Sequence, residues 1–371
     1  MSYIEVAPLG RRAFLAAAAA AAGCMSFTAS GADVKKTRRS DGGPVIDAHA
    51  HWYPEEWLRA AEAAGPSSGL KVTRAGGVWS LTGEWTAVPA VTPEYIDLGV
   101  RLKKMDRQGV DMHALSLTTP MTHWAAPELG LKLARIFNDA ASQASFAHPN
   151  RFVGMATLPM QAPQLALAEL ERAAKLPGIR GIYLPTTVRG KELDDASFLP
   201  IYAACERLGL PVFLHPVDTI GKDRTGEFYL RNLLGNPYDT GVAAAHFIFG
   251  GVLDRFPSLE ILLPHAGGTL PAIVGRLDQG VRVRPELKHM KKPATAYLRR
   301  FTYDTIAHND ALLMNLIGLV GADRVVLGSD YPFDMGYERP VEVVERLKDL
   351  SAKDKDQILG KTAARLLRIQ A

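Results

Sequence analysis

The stretch VIDAHAH, residues 45–51, opens on β-branched and apolar residues and closes on two histidines separated by one alanine. Side chains at i and i+2 of a strand leave the same face. A strand here therefore brings His49 and His51 out side by side near its end. Such a pair can grip one cation only if other parts of the chain supply further donors. Asp47, two residues earlier, is expected on the same inward face, as a buried hydrogen-bonding group rather than a ligand.

Working outward, seven more short apolar runs follow the first, at residues 110–117, 151–158, 179–184, 211–215, 259–265, 301–305 and 324–330. Helical patterns lie between them, and Gly209 stands where the helix before PVFLH needs a C-cap. Eight alternating β and α units predict an α/β fold, a (β/α)8 TIM barrel over residues 45–371. The alternative is a doubly wound open sheet, but no glycine-rich phosphate loop follows the first strand. Residues 60–92 form a long gap containing GLKVTRAGGVWSLTGEW, which reads as a small β-hairpin or meander inserted after strand 1. Loops that follow barrel strands line the active-site face, so this insertion is a candidate lid.

The strand ends carry the chemistry. Strand 1 ends in His49 and His51, strand 5 in His215, strand 6 in His265 and strand 8 in Asp330. In a barrel these ends converge on one mouth. Imidazoles with a carboxylate make a site for one first-row divalent metal, zinc first and manganese second. His123, just past strand 2, is a candidate pocket residue. His113 reads as a core or supporting group, and His148, His246, His289 and His308 as ordinary loop or helix residues.

The 371 residues hold 47% hydrophobic and 22% charged side chains, enough for a large core. Part of the +4 net charge lies in the first forty residues (Arg11, Arg12, Lys35, Lys36, Arg38, Arg39), so the body carries no nucleic-acid footprint. Of the two cysteines, Cys24 falls in the N-terminal segment and Cys205 alone cannot form an internal disulfide. GRRAFLAAAAAAAGCMSF pairs two arginines with an apolar run of modest length. This is the layout of an export signal of the twin-arginine type over residues 1–31, followed by a polar linker at residues 32–44. The run is short for a membrane span, so a periplasmic or otherwise exported chain without a transmembrane helix is expected, or a cytoplasmic one if the signal is not used.

Asp47-x-His49-x-His51, HP at His215, HAGG at His265 and GSDYPF around Asp330 resemble the amidohydrolase superfamily. Within it they are similar to the aminocarboxymuconate-semialdehyde decarboxylase branch, from about residue 45 to the C-terminus. The resemblance implies a metal held by His49, His51, His215 and Asp330 with a water. It makes His265 the general acid/base, with Asp330 also catalytic. Arg276 takes the place of a family arginine that binds a substrate carboxylate in the neighbouring subunit, which implies a homodimer. The sequence departs from the branch in the insertion. Trp79 and Ser80 stand where a second substrate arginine is expected, and Arg74 is displaced from it. A small aromatic or unsaturated monocarboxylate then fits better than a dicarboxylate. Trp79, Trp85, Trp124 and Phe333 are candidates for an aromatic wall.

The implied reaction is metal-dependent, non-oxidative decarboxylation. Two other readings stay open. One is a hydrolase, lactonase or hydratase using the same activated water. The other is a binding protein on an inactive barrel.

Overall fold

The computed structural model describes residues 43–84 and 86–370. The expected export segment, the linker through residue 42 and Trp85 lie outside the described residues. Eight parallel strands follow one another in sequence order: β1 (Ile46–His51), β2 (Met112–Ser116), β3 (Phe152–Thr157), β4 (Ile179–Pro185), β5 (Val212–His215), β6 (Ile261–Leu263), β7 (Phe301–Asp304) and β8 (Val325–Val326). The chain just past β8 returns to β1. Ala48 N donates to Leu327 O at 2.9 Å, Asp330 N to His49 O at 2.9 Å and His51 N to Tyr331 O at 2.7 Å. These bonds close the sheet into the expected barrel. Seven of the eight strands fall within the runs read from the sequence, and β4 extends one residue beyond its run, to Pro185.

The strands are apolar because both faces are covered. Inside the barrel, Ile46, Ala48, Met112, Ala114, Val153, Met155, Tyr183, Phe213, Leu262 and Val326 form one buried cluster, joined by Ala363, Leu366 and Leu367 near the C-terminus. Outside, helices cover the wall. Helix Pro127–Ala147 starts with proline at its first position, where the missing N–H costs nothing, and buries Leu133, Phe137 and Ala141. Gly209 ends helix Leu199–Leu208 with a left-handed φ of 62°.

Strand β1 departs from the expected alternation. Asp47 pairs with His113 and Ala50 with Leu115, so β1 carries one residue more than β2 between these pairs. This bulge changes which face the following side chains leave. His51 sits opposite Ser116 and bonds to it, whereas Asp47 sits opposite His113. His113 contacts Arg101 of the outer helix Leu98–Gln108. The expectation that Asp47 shares the inward face of the histidines is therefore corrected. Asp47 is buried behind the wall, and the extra residue lets His49 and His51 turn into the mouth.

The insertion is a three-stranded antiparallel meander, Leu70–Ala75, Val78–Gly83 and Ala87–Val91. Gly76 and Gly77 supply the two positive φ angles (57° and 85°) that its first tight turn requires. Glu84 ties the meander to the loop after β5: Lys222 Nζ lies 3.4 Å from its carboxylate, and Arg231 Nη1 donates to its carbonyl at 3.2 Å.

Candidate metal centre and active site

Ligand atoms of His49, His215, His265 and Asp330 lie within 4.8 Å of one another at the barrel mouth. His51 joins them: its Nε2 is 3.1 Å from His49 Nε2 and 2.9 Å from Asp330 Oδ1. These residues come from β1, β5 and the ends of β6 and β8, as the strand-end pattern led us to expect.

The outer nitrogens fix the tautomers. His215 Nδ1 is 2.9 Å from the carbonyl of Pro216, which can only accept, so Nδ1 carries the proton. His51 Nδ1 is 3.0 Å from Ser116 Oγ, whose own hydrogen goes to the carbonyl of Ala50 at 3.1 Å. His49 Nδ1 donates to Asp304 Oδ2 at 2.7 Å. All three imidazoles are thus held with bare Nε2 atoms turned toward one point. Two such lone pairs 3.1 Å apart repel unless a proton or a metal cation lies between them. At nitrogen–metal bonds of roughly 2.0–2.1 Å, two adjacent ligands come about this close. A partner on the outer nitrogen is the usual support of a ligating histidine. The donor set therefore fits one divalent cation.

Charge agrees with this arrangement. Burial pushes the His51 pKa down to about 4, and burial with the neighbouring imidazoles pushes His215 well below its ordinary value. Both are neutral and able to ligate near neutral pH. Burial disfavours a charged His49 as well, but Asp304, Asp330 and Asp47 outweigh it and raise its pKa, so without a metal His49 takes a second proton on Nε2 more readily, at the point a cation would occupy. Burial works against an ionised Asp330, yet His265 and His51 hold its carboxyl well below the usual range.

Asp304 was not picked out from the sequence, although it ends β7 just as the ligands end their strands. Its carboxylate accepts from His49 Nδ1 and from the backbone N–H groups of His265 (3.0 Å), Ala266 (2.8 Å) and Ile306 (3.0 Å). His265 has a left-handed φ of 53°, and its Nε2 stands 3.9 Å from Asp330 Oδ2. Gly328 makes the crowding possible, since a Cβ there would lie 2.9 Å from that of Asp304 and 3.0 Å from that of His49.

The other expected residues divide. Phe333 is at the site, its ring centroid 5.4 Å from His51 and 5.3 Å from Tyr95, an aromatic neighbour that sequence reasoning missed. A cavity reaches His265 and Asp330, with Asn232, Asn236, His308 and Asn315 adding polar lining. Trp79, His123 and Arg276 are not among its lining residues, and neither are Phe333 and Tyr95, which reach the site through the His51 ring instead. Trp79 is buried in the main hydrophobic core cluster beneath the guanidinium of Arg74, 5.1 Å from the ring. His123 is buried after β2, and Trp124 beside it is core. Arg276 is exposed on helix Leu270–Val283.

The profile of the amidohydrolase family matches residues 46–369. The chain belongs to the amidohydrolase family. Among amidohydrolase relatives, it is 34% identical over 328 residues to 2-amino-3-carboxymuconate-6-semialdehyde decarboxylase from Dictyostelium discoideum, covering 87% of this chain and 91% of that protein. The structure of 5-carboxyvanillate decarboxylase from Sphingomonas paucimobilis superposes with a TM-score of 0.78 at 28% identity, over 88% of this chain and 99% of that one. A 5-carboxyvanillate decarboxylase from Novosphingobium aromaticivorans, whose structure holds manganese, superposes with a TM-score of 0.77 at 25% identity, over 88% and 98%. Among the described residues, no helix is long and apolar enough to cross a membrane.

Proposed function

We propose that this amidohydrolase is a divalent-metal-dependent, non-oxidative decarboxylase, a carboxy-lyase acting on a small aromatic or unsaturated carboxylic acid. The observation that carries the reading is the convergence of three bare Nε2 atoms beside His265 and Asp330. The names of the relatives, all decarboxylases of carboxylic acids, support the reaction class.

In this reading His49, His51, His215 and Asp330 hold the metal, of the zinc or manganese class; the manganese in the Novosphingobium relative supports the second. A cation bound there supplies Lewis-acid polarisation of the substrate's oxygen atoms. Phe333 and Tyr95 pack against the substrate's flat face. His265 delivers a proton to the carbon that bears the carboxylate. That carbon becomes tetrahedral, the bond to the carboxylate breaks, CO2 leaves, and the bonding pair returns to the π system. Asp330 stays ionised and orients the His265 imidazole.

Trp79 and His123 act in this reading through the walls behind the pocket. The exposure of Arg276, with Ile273 and Val283 exposed on the same helix, supports a homodimer in which Arg276 serves the neighbouring site. The paired arginines and the alanine run support export by the twin-arginine route. The reaction is tested by following CO2 from aromatic acids alongside acid release from lactones. Decarboxylation gives the first only, and a hydrolase the second.

A further inference from the structure

Behind the site runs a line of buried polar side chains with no direct part in the proposed chemistry. Arg101, His113 and Asp47 are all fully buried. Arg101 Nη1 is 3.2 Å from His113 Nδ1, and His113 Nε2 is 3.6 Å from Asp47 Oδ2. A guanidinium only donates, so His113 Nδ1 accepts and its Nε2 carries the hydrogen; that nitrogen faces Asp47 but makes no hydrogen bond to it. A neutral ring, hydrogen-bonded to the cation and packed beside the carboxylate, separates the two buried charges. Buried charges are costly unless answered by good partners, so these three groups constrain one another.

Each end of the line grips a backbone that carries proposed metal ligands. Arg101 Nη2 donates to the carbonyl of His51, and its guanidinium lies 4.7 Å from the ring centroid of Tyr331, next to Asp330. Asp47 Oδ1 accepts from His49 N at 3.0 Å and Ser329 N at 3.1 Å, and Oδ2 accepts from the Ser329 hydroxyl. Ser329 Oγ in turn accepts from Tyr331 N at 3.0 Å. The line therefore spans the seam where β1 meets the segment after β8. Asp330 lies inside that seam with a left-handed φ of 60°, a conformation uncommon outside glycine though more open to aspartate than to most residues.

We propose that Asp47, His113 and Arg101 are positioning residues: a buried charge line that sets the angle between the His49–His51 pair and Asp330, and through that angle the affinity and geometry of the metal site. The inference rests on the metal site of the proposed function.

The test uses Co2+ as the probe metal with the full chain. Wild type, Asp47→Asn and Ser329→Ala are titrated against a competing chelator, and the visible spectra of their Co2+ forms are recorded. The dissociation constant is expected to rise by about 10–100-fold in Asp47→Asn and by less in Ser329→Ala, with displaced cobalt bands in both. Ser329→Ala removes a single hydroxyl, so it keeps the test decisive if Asp47→Asn does not fold. Unchanged affinity and spectrum in a folded variant, whatever its melting temperature, would overturn the proposal. A wild-type chain that takes up no cobalt would instead remove the metal reading beneath it, and this inference with it.

Discussion

His49 Nδ1 lies 2.7 Å from Asp304 Oδ2, and the same oxygen accepts the backbone N–H of His265 at 3.0 Å. One carboxylate thus holds a proposed ligand by its ring and the proposed acid by its backbone. Asp304→Asn should weaken both holds. The expected result is metal affinity lower by about 10–100-fold, with kcat reduced even at saturating metal. Chelator competition and steady-state rates measure the two effects separately.

His265 is the proposed proton donor and stands beside Asp330 without the outer-nitrogen partner that the three proposed ligand histidines possess. His265→Ala should lower kcat by about 10²–10⁴-fold while metal content stays near one per chain. Elemental analysis of the purified variant checks this. Loss of the metal would make His265 a ligand.

Phe333 packs edge-on against His51 and Tyr95. Phe333→Ala should raise KM for aromatic acids by about tenfold, the equivalent of 1.4 kcal/mol, with metal content unchanged. A KM that does not move would place the substrate elsewhere in the mouth.

His123 gives a stability prediction with a definite sign. Burial, reinforced by Arg189, pushes its pKa down to about 4. The unfolded chain, with an ordinary histidine value near 6.5, then binds more protons below that pH. The contribution is present above pH ~6.5 and is lost as pH falls toward about 4, by up to roughly 3 kcal/mol. His123→Gln should flatten the urea-denaturation stability profile across that window.

The barrel was legible because strands buried on both faces read as continuous apolar runs. The proposed ligands share one sequence signal, since each ends one of those runs. The β1 bulge was not: nothing in IDAHAH marks an extra residue, which exists only by pairing with β2. Asp47 was placed on the wrong face for that reason. Asp304 carries the same strand-end signal as His215, but its role lies in bonds to the His49 ring and to the backbone of His265 and Ala266, which exist only once the strands are assembled. Tyr95 comes from the chain after the insertion, and the approach of a loop residue to a site depends on tertiary packing. Trp79 is a candidate for the pocket wall, but the meander turns it into the main core, in one cluster with Trp57 and Leu58.

The central claim is that convergent imidazoles hold a metal that this chain uses to release CO2. The most direct measurement is CO2 evolution from a panel of hydroxylated benzoic acids, using metal-stripped protein before and after one equivalent of Zn2+ or Mn2+. The account expects no release from the stripped protein, release restored by metal, and none in either state when His49 and His215 are both replaced by alanine. Release that is indifferent to metal, or restored metal that gives only hydrolysis of lactones, would contradict it.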